Sequence, residues 1–231
     1  MKKTCIITGA NSEIGMSIAE SLYGSHSLIL TWHKNNGRIV EFTKTRFDVV
    51  VYQYDLRIEQ NSISLMENVA REFGHTNLLI NCIGKNNYND NIDETILREV
   101  VESNLNPVFF LCKHYHKSML SDLPGCIITF ASTAGIRAIP SSPHYIAAKA
   151  GVIALTAYYA NVLAPNIRVN AIAPGFVETE KHKSGKYKEI KNKIPLKRMA
   201  SLAEIVKTVN YIIECEYLTG QTIVIDGGLV L

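Results

Sequence analysis

Short apolar runs recur along the chain with almost no charge inside them: Thr4–Ile7, Ser27–Thr31, Val49–Tyr52, Asn77–Asn81, Gly125–Ala131 and Ile167–Ala173, with a last one inside Gly220–Gly228. Apolar runs of this length, bounded by turn residues, fit strands buried on both faces, as in a parallel sheet. Between them lie stretches with apolar residues at helical spacing, such as Ile63, Leu65, Met66, Val69 and Phe73. Strand and helix alternate seven times. That predicts an α/β chain with a doubly wound, seven-stranded parallel sheet and helices on both faces. The 231 residues suit one domain, 1–231, with a substantial core. Ligands of such sheets sit at the C-terminal ends of strands, where the strand order reverses. Gly9, Asn81, Ser132 and Pro174 all fall at such ends.

Composition narrows the classes. A formal charge of +3 is too small to argue for nucleic acid. No apolar run reads as long enough to span a membrane, and the first residues turn at once into a strand rather than a signal peptide. Cys5, Cys82, Cys112, Cys126 and Cys215 are scattered, odd in number and lack a CxxC pair. They read as reduced core residues of a cytoplasmic protein, not as a metal site.

The chemistry concentrates between Ser132 and Lys149. Tyr145 and Lys149 are four residues apart at the start of a predicted buried helix, so they share a face. A free phenol has a pKa of about 10, and a neighbouring ammonium lowers it. Bringing it near neutrality takes about 3 units, or roughly 4 kcal/mol. Tyr145 then becomes a proton donor to a carbonyl, or an acceptor from an alcohol. Ser132, delivered by the preceding strand, is placed to hold the substrate oxygen. The bland alternative is a Tyr and a Lys that merely share a helix face.

Thr8–Gly15 is a glycine-bearing turn between a strand and a helix, which presents backbone N–H groups and a helix N-terminus to an anion. Glu13 occupies one of its positions and works against a phosphate. The second strand ends without the acid that an NAD site places there. His33 and Lys34 follow instead, which favours NADP(H) over NAD(H). Gly84 lets backbone pass close to a cofactor. Lys85–Asp93 reads as a polar surface loop. Asn104 is an amide on an otherwise apolar helix face and requires hydrogen-bond partners. Residues 176–200 form a long segment after the sixth strand and read as a substrate lid, with lysines at 181, 183, 186, 188, 191 and 193.

Taken in order, Thr8-Gly9…Gly15, Asp55, Asn81…Gly84, Asn104, Ser132, Tyr145-x-x-x-Lys149, Pro174-Gly175…Thr179 and Asp226-Gly-Gly228 resemble the short-chain dehydrogenase/reductase family over essentially the whole chain. The nearest subgroup is the bacterial 3-oxoacyl-(acyl-carrier-protein) reductases. The resemblance implies a Rossmann-like fold and a role for each matched residue. Tyr145 is the acid/base, Lys149 assists it and holds the nicotinamide ribose, Ser132 orients the carbonyl, and Asn104 anchors a proton relay. Gly9, Ser12, Ile14 and Gly15 surround the pyrophosphate, Asp55 lies by the adenine and Asn81 by its ribose. Ile172 and Thr179 flank the nicotinamide, and Asn11, Leu56, Pro174, Gly175 and Val177 complete the cofactor-contacting set. The implied substrate is a ketone or 3-oxoacyl thioester, with acyl carrier protein as partner. The implied assembly is a homo-oligomer, tetramer or dimer. The alternatives are a reductase or dehydrogenase of a small free ketone, polyol or sugar, and a catalytically silent dinucleotide-binding subunit. Two departures stand out besides Glu13: Cys82-Ile83 replaces the family's usual Asn-Ala, and carrier-docking basic residues are not evident around 120–124 and 163–166.

Overall fold

The computed structural model describes residues 2–87, 92–116, 123–137, 142–182 and 189–231. Its seven strands are β1 (Lys3–Thr8), β2 (His26–Trp32), β3 (Val49–Gln53), β4 (Leu78–Asn81), β5 (Gly125–Phe130), β6 (Ile167–Pro174) and β7 (Thr222–Ile225). They form one sheet in the order β3-β2-β1-β4-β5-β6-β7, and every pairing is parallel. The chain therefore builds outward from β1 in one direction and then returns to build in the other. The crevice of a doubly wound sheet opens at that reversal, between β1 and β4. The register brings the strand ends level: Thr8 faces Asn81, Asn81 faces Thr129, and Phe130 faces Ile172. Whatever follows each strand is thus delivered to one edge.

Six helices cover the two faces among the described residues: α1 (Glu13–Leu22), α2 (Gly37–Thr43), α3 (Glu59–Phe73), α4 (Glu94–Tyr115), α5 (Pro143–Leu163) and α6 (Leu202–Glu214). Successive strand side chains point to opposite faces. Cys5 and Ile7 of β1 accordingly join Leu28, Leu30, Ile80 and Ile128 in a core closed by α1, α2 and α6. Ile6 joins Ile29, Leu79 and Ile127 in a second core closed by α3, α4 and α5. Along β1, β2, β4, β5 and β6 both faces are largely buried, which is why these strands read as continuous apolar runs.

Two sequence expectations need correction. The sequence pattern marks no helix between the second and third strands, yet α2 occupies 37–43. Its own N-cap, Asn36, makes no side-chain cap bond. Asn11 caps it from the glycine turn instead, Oδ1 accepting from the N–H groups of Arg38 (2.9 Å) and Ile39 (3.3 Å). The membrane criterion also fails for one element. By length and composition alone, α5 is long and apolar enough to cross a bilayer. One side of it packs within the molecule, burying Ala148, Val152, Thr156 and Ala160.

Candidate active site

The reacting residues are positioned by backbone approaches that only glycine permits. Ser132 follows β5 in an extended conformation and caps a 3-10 turn over Thr133–Gly135, its Oγ accepting from Ala134 N at 3.2 Å. A Cβ on Gly135 would lie 2.5 Å from the carbonyl carbon of Lys149. The turn therefore rests directly on the α5 backbone, which sets Ser132 beside Tyr145 and Lys149. Farther along α5, a Cβ on Gly151 would stand 2.7 Å from Leu105 Cδ2, so α4 and α5 also meet closely.

Lys149 is buried, and its Nζ donates to Phe130 O at 2.7 Å. Burial pulls its pKa down from 10.5 to about 8, because a desolvated ammonium is costly. The same Nζ lies 5.7 Å from the centroid of the Tyr145 ring. Asn104 is fully buried, its Nδ2 donating to Lys85 O and Val100 O, each at 2.7 Å. Its Oδ1 is buried without a hydrogen-bond partner among the described residues. A Cβ on Gly84 would sit 3.0 Å from Lys149 Nζ and 3.1 Å from Asn104 Oδ1, so these two groups converge over the Gly84 backbone.

Two cavities flank this point. The larger, about 800 Å³, is lined by Ser132, Tyr145, Lys149, Ser12, Ile14, Gly84, Pro174, Gly175, Val177 and Thr179. The smaller, about 390 Å³, is lined by Gly9, Ser12, His33, Lys34, Asp55, Leu56 and Gly84. Ser12 and Gly84 belong to both, so the cavities form one crevice across the β1/β4 reversal. Gly9 has φ +64°, and a Cβ there would stand 3.1 Å from the Cys82 backbone. Gly15 would meet Gly9 O at 2.8 Å. Ser12 closes this turn, donating to Gly9 O and accepting from Gly15 N as the cap of α1. Asn81 Oδ1 accepts from Thr8 Oγ1 at 2.9 Å, while its Nδ2 is buried without a partner among the described residues. A backbone cradle at a helix N-terminus, with a spare buried donor beside it, fits a dinucleotide phosphate and ribose.

Some expected residues take other work. Asn11 lines neither cavity, and its side chain serves α2. Ile172 is fully buried in the core and, like Gly15, Asn81 and Asn104, lines neither cavity. Glu13 points its carboxylate at the start of the segment after β6: both oxygens lie 3.2 Å from Glu180 N, and Arg38 Nη2 is 3.5 Å away. Its charge is therefore partly matched by neighbours. His182 Nδ1 lies 2.7 Å from Val177 O and 3.2 Å from Thr179 Oγ1, and burial lowers its pKa. Lys181 and Lys193 line the larger cavity. Lys183, Lys186 and Lys188 lie outside the described residues.

Sequence reasoning missed Arg57. Its guanidinium grips Asp55, with Nε at 2.9 Å from Oδ1 and Nη2 at 2.6 Å from Oδ2, and holds the Asp55 carboxyl below its ordinary pKa. His33 Nε2 is 3.6 Å from the same carboxylate. The available signal was a basic residue two positions after an acid at a strand end.

Comparisons agree with this geometry. A family model described as enoyl-(acyl carrier protein) reductase matches residues 9–230. A 3-oxoacyl-[acyl-carrier-protein] reductase from Staphylococcus aureus is 31% identical, covering 99% of this chain and 98% of the relative. Among solved structures, 4-hydroxyisoleucine dehydrogenase complexed with NADH superimposes with TM-score 0.89 at 30% identity, covering 99% of both chains. A single-residue variant of actinorhodin polyketide ketoreductase with NADPH gives TM-score 0.88 at 25% identity, covering 99% of this chain and 97% of that one. The sheet order, the glycine cradle and these full-length matches together establish that the chain belongs to the short-chain dehydrogenase/reductase family of nicotinamide-dependent oxidoreductases.

Proposed function

We propose that the protein is an NADPH-dependent carbonyl reductase whose substrate is a 3-oxoacyl thioester carried by an acyl carrier protein, in fatty-acid or polyketide-type synthesis. The observation that carries this reading is the convergence of Ser132, Tyr145 and Lys149 on one cavity contiguous with the glycine cradle. The carrier-bound substrate is supported by the name of the Staphylococcus aureus relative, and the cofactor by the NADPH of the polyketide ketoreductase neighbour. His33 and Lys34, exposed at the rim of the smaller cavity, are the groups assigned to a 2′-phosphate.

Gly9, Ser12, Ile14 and Gly15 would hold the pyrophosphate, Asp55 and Leu56 the adenine, and Asn81 its ribose. Pro174, Gly175, Val177 and Thr179 would border the nicotinamide, whose bound form supplies a hydride to the carbonyl carbon. Ser132 Oγ donates a hydrogen bond to the carbonyl oxygen and fixes its position. Tyr145 gives its hydroxyl proton to that oxygen as the carbonyl becomes an alcohol. The Lys149 cation stabilises the tyrosinate left behind, and one of its three N–H donors is already anchored on Phe130 O. Asn104 Oδ1, unpartnered among the described residues, is an open acceptor on the path by which Tyr145 recovers a proton. Residues 176–200 act as the lid, with Lys181 and Lys193 at the cavity wall. The remaining assignments are a homo-oligomer, supported by exposed Phe109, Tyr158 and Val162 on α4 and α5, and a reducing cytoplasmic setting, supported by five free cysteines.

A second reading, NAD-dependent oxidation of a small hydroxylated compound, is favoured by the 30% identity to the NADH-bound 4-hydroxyisoleucine dehydrogenase. Steady-state assays of acetoacetyl thioesters with NADPH and with NADH separate the two. The proposal expects faster turnover with NADPH and a fall of roughly 10²- to 10⁴-fold in Tyr145→Phe. Near-normal turnover of that variant would defeat the mechanism, and preference for NADH with a small alcohol would favour the second reading.

A further inference from the structure

The segment after β4 carries a residue whose chemistry is unused by the machinery above. Asn86 lines the larger cavity together with Tyr145, Ser142 and Pro143, and it does not line the smaller, adenosine-side cavity. Both ends of its carboxamide, Nδ2 and Oδ1, are buried without a hydrogen-bond partner among the described residues. Buried amides are ordinarily satisfied, and an exception in a folded protein calls for a specific cause.

Looseness of the backbone is not the cause, because it is pinned on either side. Lys85 O accepts from Asn104 Nδ2 at 2.7 Å, which ties it to α4. Asn87 O accepts from Ser142 Oγ at 3.1 Å and lies 3.0 Å from His144 Nε2, which ties it to the start of α5. Ser142 is the N-cap residue of α5, and His144 immediately precedes Tyr145. Asn86 is thus fixed between two anchors, on the wall of the cavity that receives the reacting group, with a hydrogen-bonding donor and acceptor to spare. A site builds such a group in advance when its ligand supplies the partner.

We infer that Asn86 is a specificity-determining residue, its Nδ2 donating a hydrogen bond to a second carbonyl oxygen of the substrate, beside the ketone that is reduced. The inference rests on the carbonyl-reductase reading and deepens it. The substrate class becomes a 1,3-dicarbonyl compound such as a 3-oxoacyl thioester, rather than a ketone with only hydrocarbon around it. A pocket that hydrogen-bonds a substrate group discriminates strongly against analogues lacking it, because its own polar group is then left unpaired.

The test compares two substrates in one enzyme: acetoacetyl N-acetylcysteamine thioester and a 2-alkanone of similar length. Asn86→Leu keeps the branched shape and removes the amide, whereas Asn86→Asp keeps the shape, removes the donor and turns it into a charged acceptor that repels a carbonyl oxygen. Both variants should lose on the order of 10- to 100-fold in kcat/KM on the thioester. On the alkanone, Asn86→Leu should stay within about 3-fold, since that substrate offers the amide no second carbonyl to lose. Cofactor affinity should be unchanged. Equal losses on both substrates, no loss on the thioester, or full activity of Asn86→Asp would each overturn the assignment. If Asn86→Leu fails to fold, Asn86→Asp and Asn86→Ser decide the question by the same ratio. Failure of the parent reading looks different: the unmodified enzyme would reduce neither ketone, or Tyr145→Phe would leave its turnover intact, and the Asn86 assignment would fall with it.

Discussion

The two ends of the crevice hold their polar groups by opposite means. At the catalytic end, Lys149 and Asn104 are buried and fastened to backbone carbonyls, those of Phe130, Lys85 and Val100. At the adenosine end, His33 and Lys34 are exposed and Arg57 is half-buried, and the polar side chains there meet one another, Arg57 gripping the Asp55 carboxylate with His33 beside it. Backbone carbonyls are fixed features of a sheet and its helices. Exposed ion pairs are side-chain arrangements worth little individually and screened by salt. The catalytic end should therefore respond to substitution by large, salt-independent changes in rate. The adenosine end should respond by modest, salt-sensitive changes in preference.

The sharpest way to break this contrast is Lys149→Met. Turnover should fall by roughly 10²-fold or more, with little dependence on salt. The same variant tests burial through pH. The Lys149 pKa is depressed from 10.5 to about 8 in the folded protein, so between these values the unfolded chain binds more protons. Stability should rise with pH across that window, by about 3 kcal/mol at most from this group. Urea unfolding at pH 8 and near pH 10 should show this increment in the unmodified protein and its loss in Lys149→Met. Identical pH dependence in both would mean that the ammonium is not desolvated, and the two ends would not differ in kind.

A smaller effect is expected from His33→Asp. A carboxylate at that rim repels a 2′-phosphate and should shift the NADPH/NADH ratio of kcat/KM by about 10-fold toward NADH at low salt, less at 1 M, where the Debye length is about 3 Å. A shift that persists undiminished at high salt would place this residue with the buried class. The smallest change should come from Glu13→Gln. Its carboxylate already receives Glu180 N and sits near Arg38, so removing the charge should tighten cofactor binding by less than about 5-fold. A gain well beyond that, measured by fluorescence titration, would show that the neighbours do not offset its charge.

The same contrast explains what can be read from the sequence. Strands buried on both faces leave uninterrupted apolar runs, and Tyr145 and Lys149 are one helical turn apart, so sheet and catalytic pair are legible locally. The helix α2 is not, because the side chain that caps it, Asn11, lies on another turn of the chain. Asn11 enters the cofactor-contacting set through the family resemblance alone, and nothing next to it in the sequence signals that it caps a helix. Asn86 is hidden in a polar stretch: an asparagine bathed in water and one lining a cavity are spelled alike. Arg57 lies two residues beyond the position assigned to adenine, and only the bidentate geometry reveals that it governs the Asp55 charge. The apolar character of α5 does not reveal which of its sides is buried, and only the packing of Ala148, Val152, Thr156 and Ala160 shows it.

The bond from Lys149 Nζ to Phe130 O has a consequence for anyone who would redesign this enzyme. Phe130 is the last residue of β5, two positions before Ser132, and Lys149 is one turn beyond Tyr145. One hydrogen bond thus fixes how far apart the two hydroxyl-bearing residues can drift. The helix cannot be borrowed for another scaffold by copying its face alone. The end of β5 must travel with it, together with the glycine turn that rests on Lys149, or the transplanted tyrosine will have its cation but not its serine.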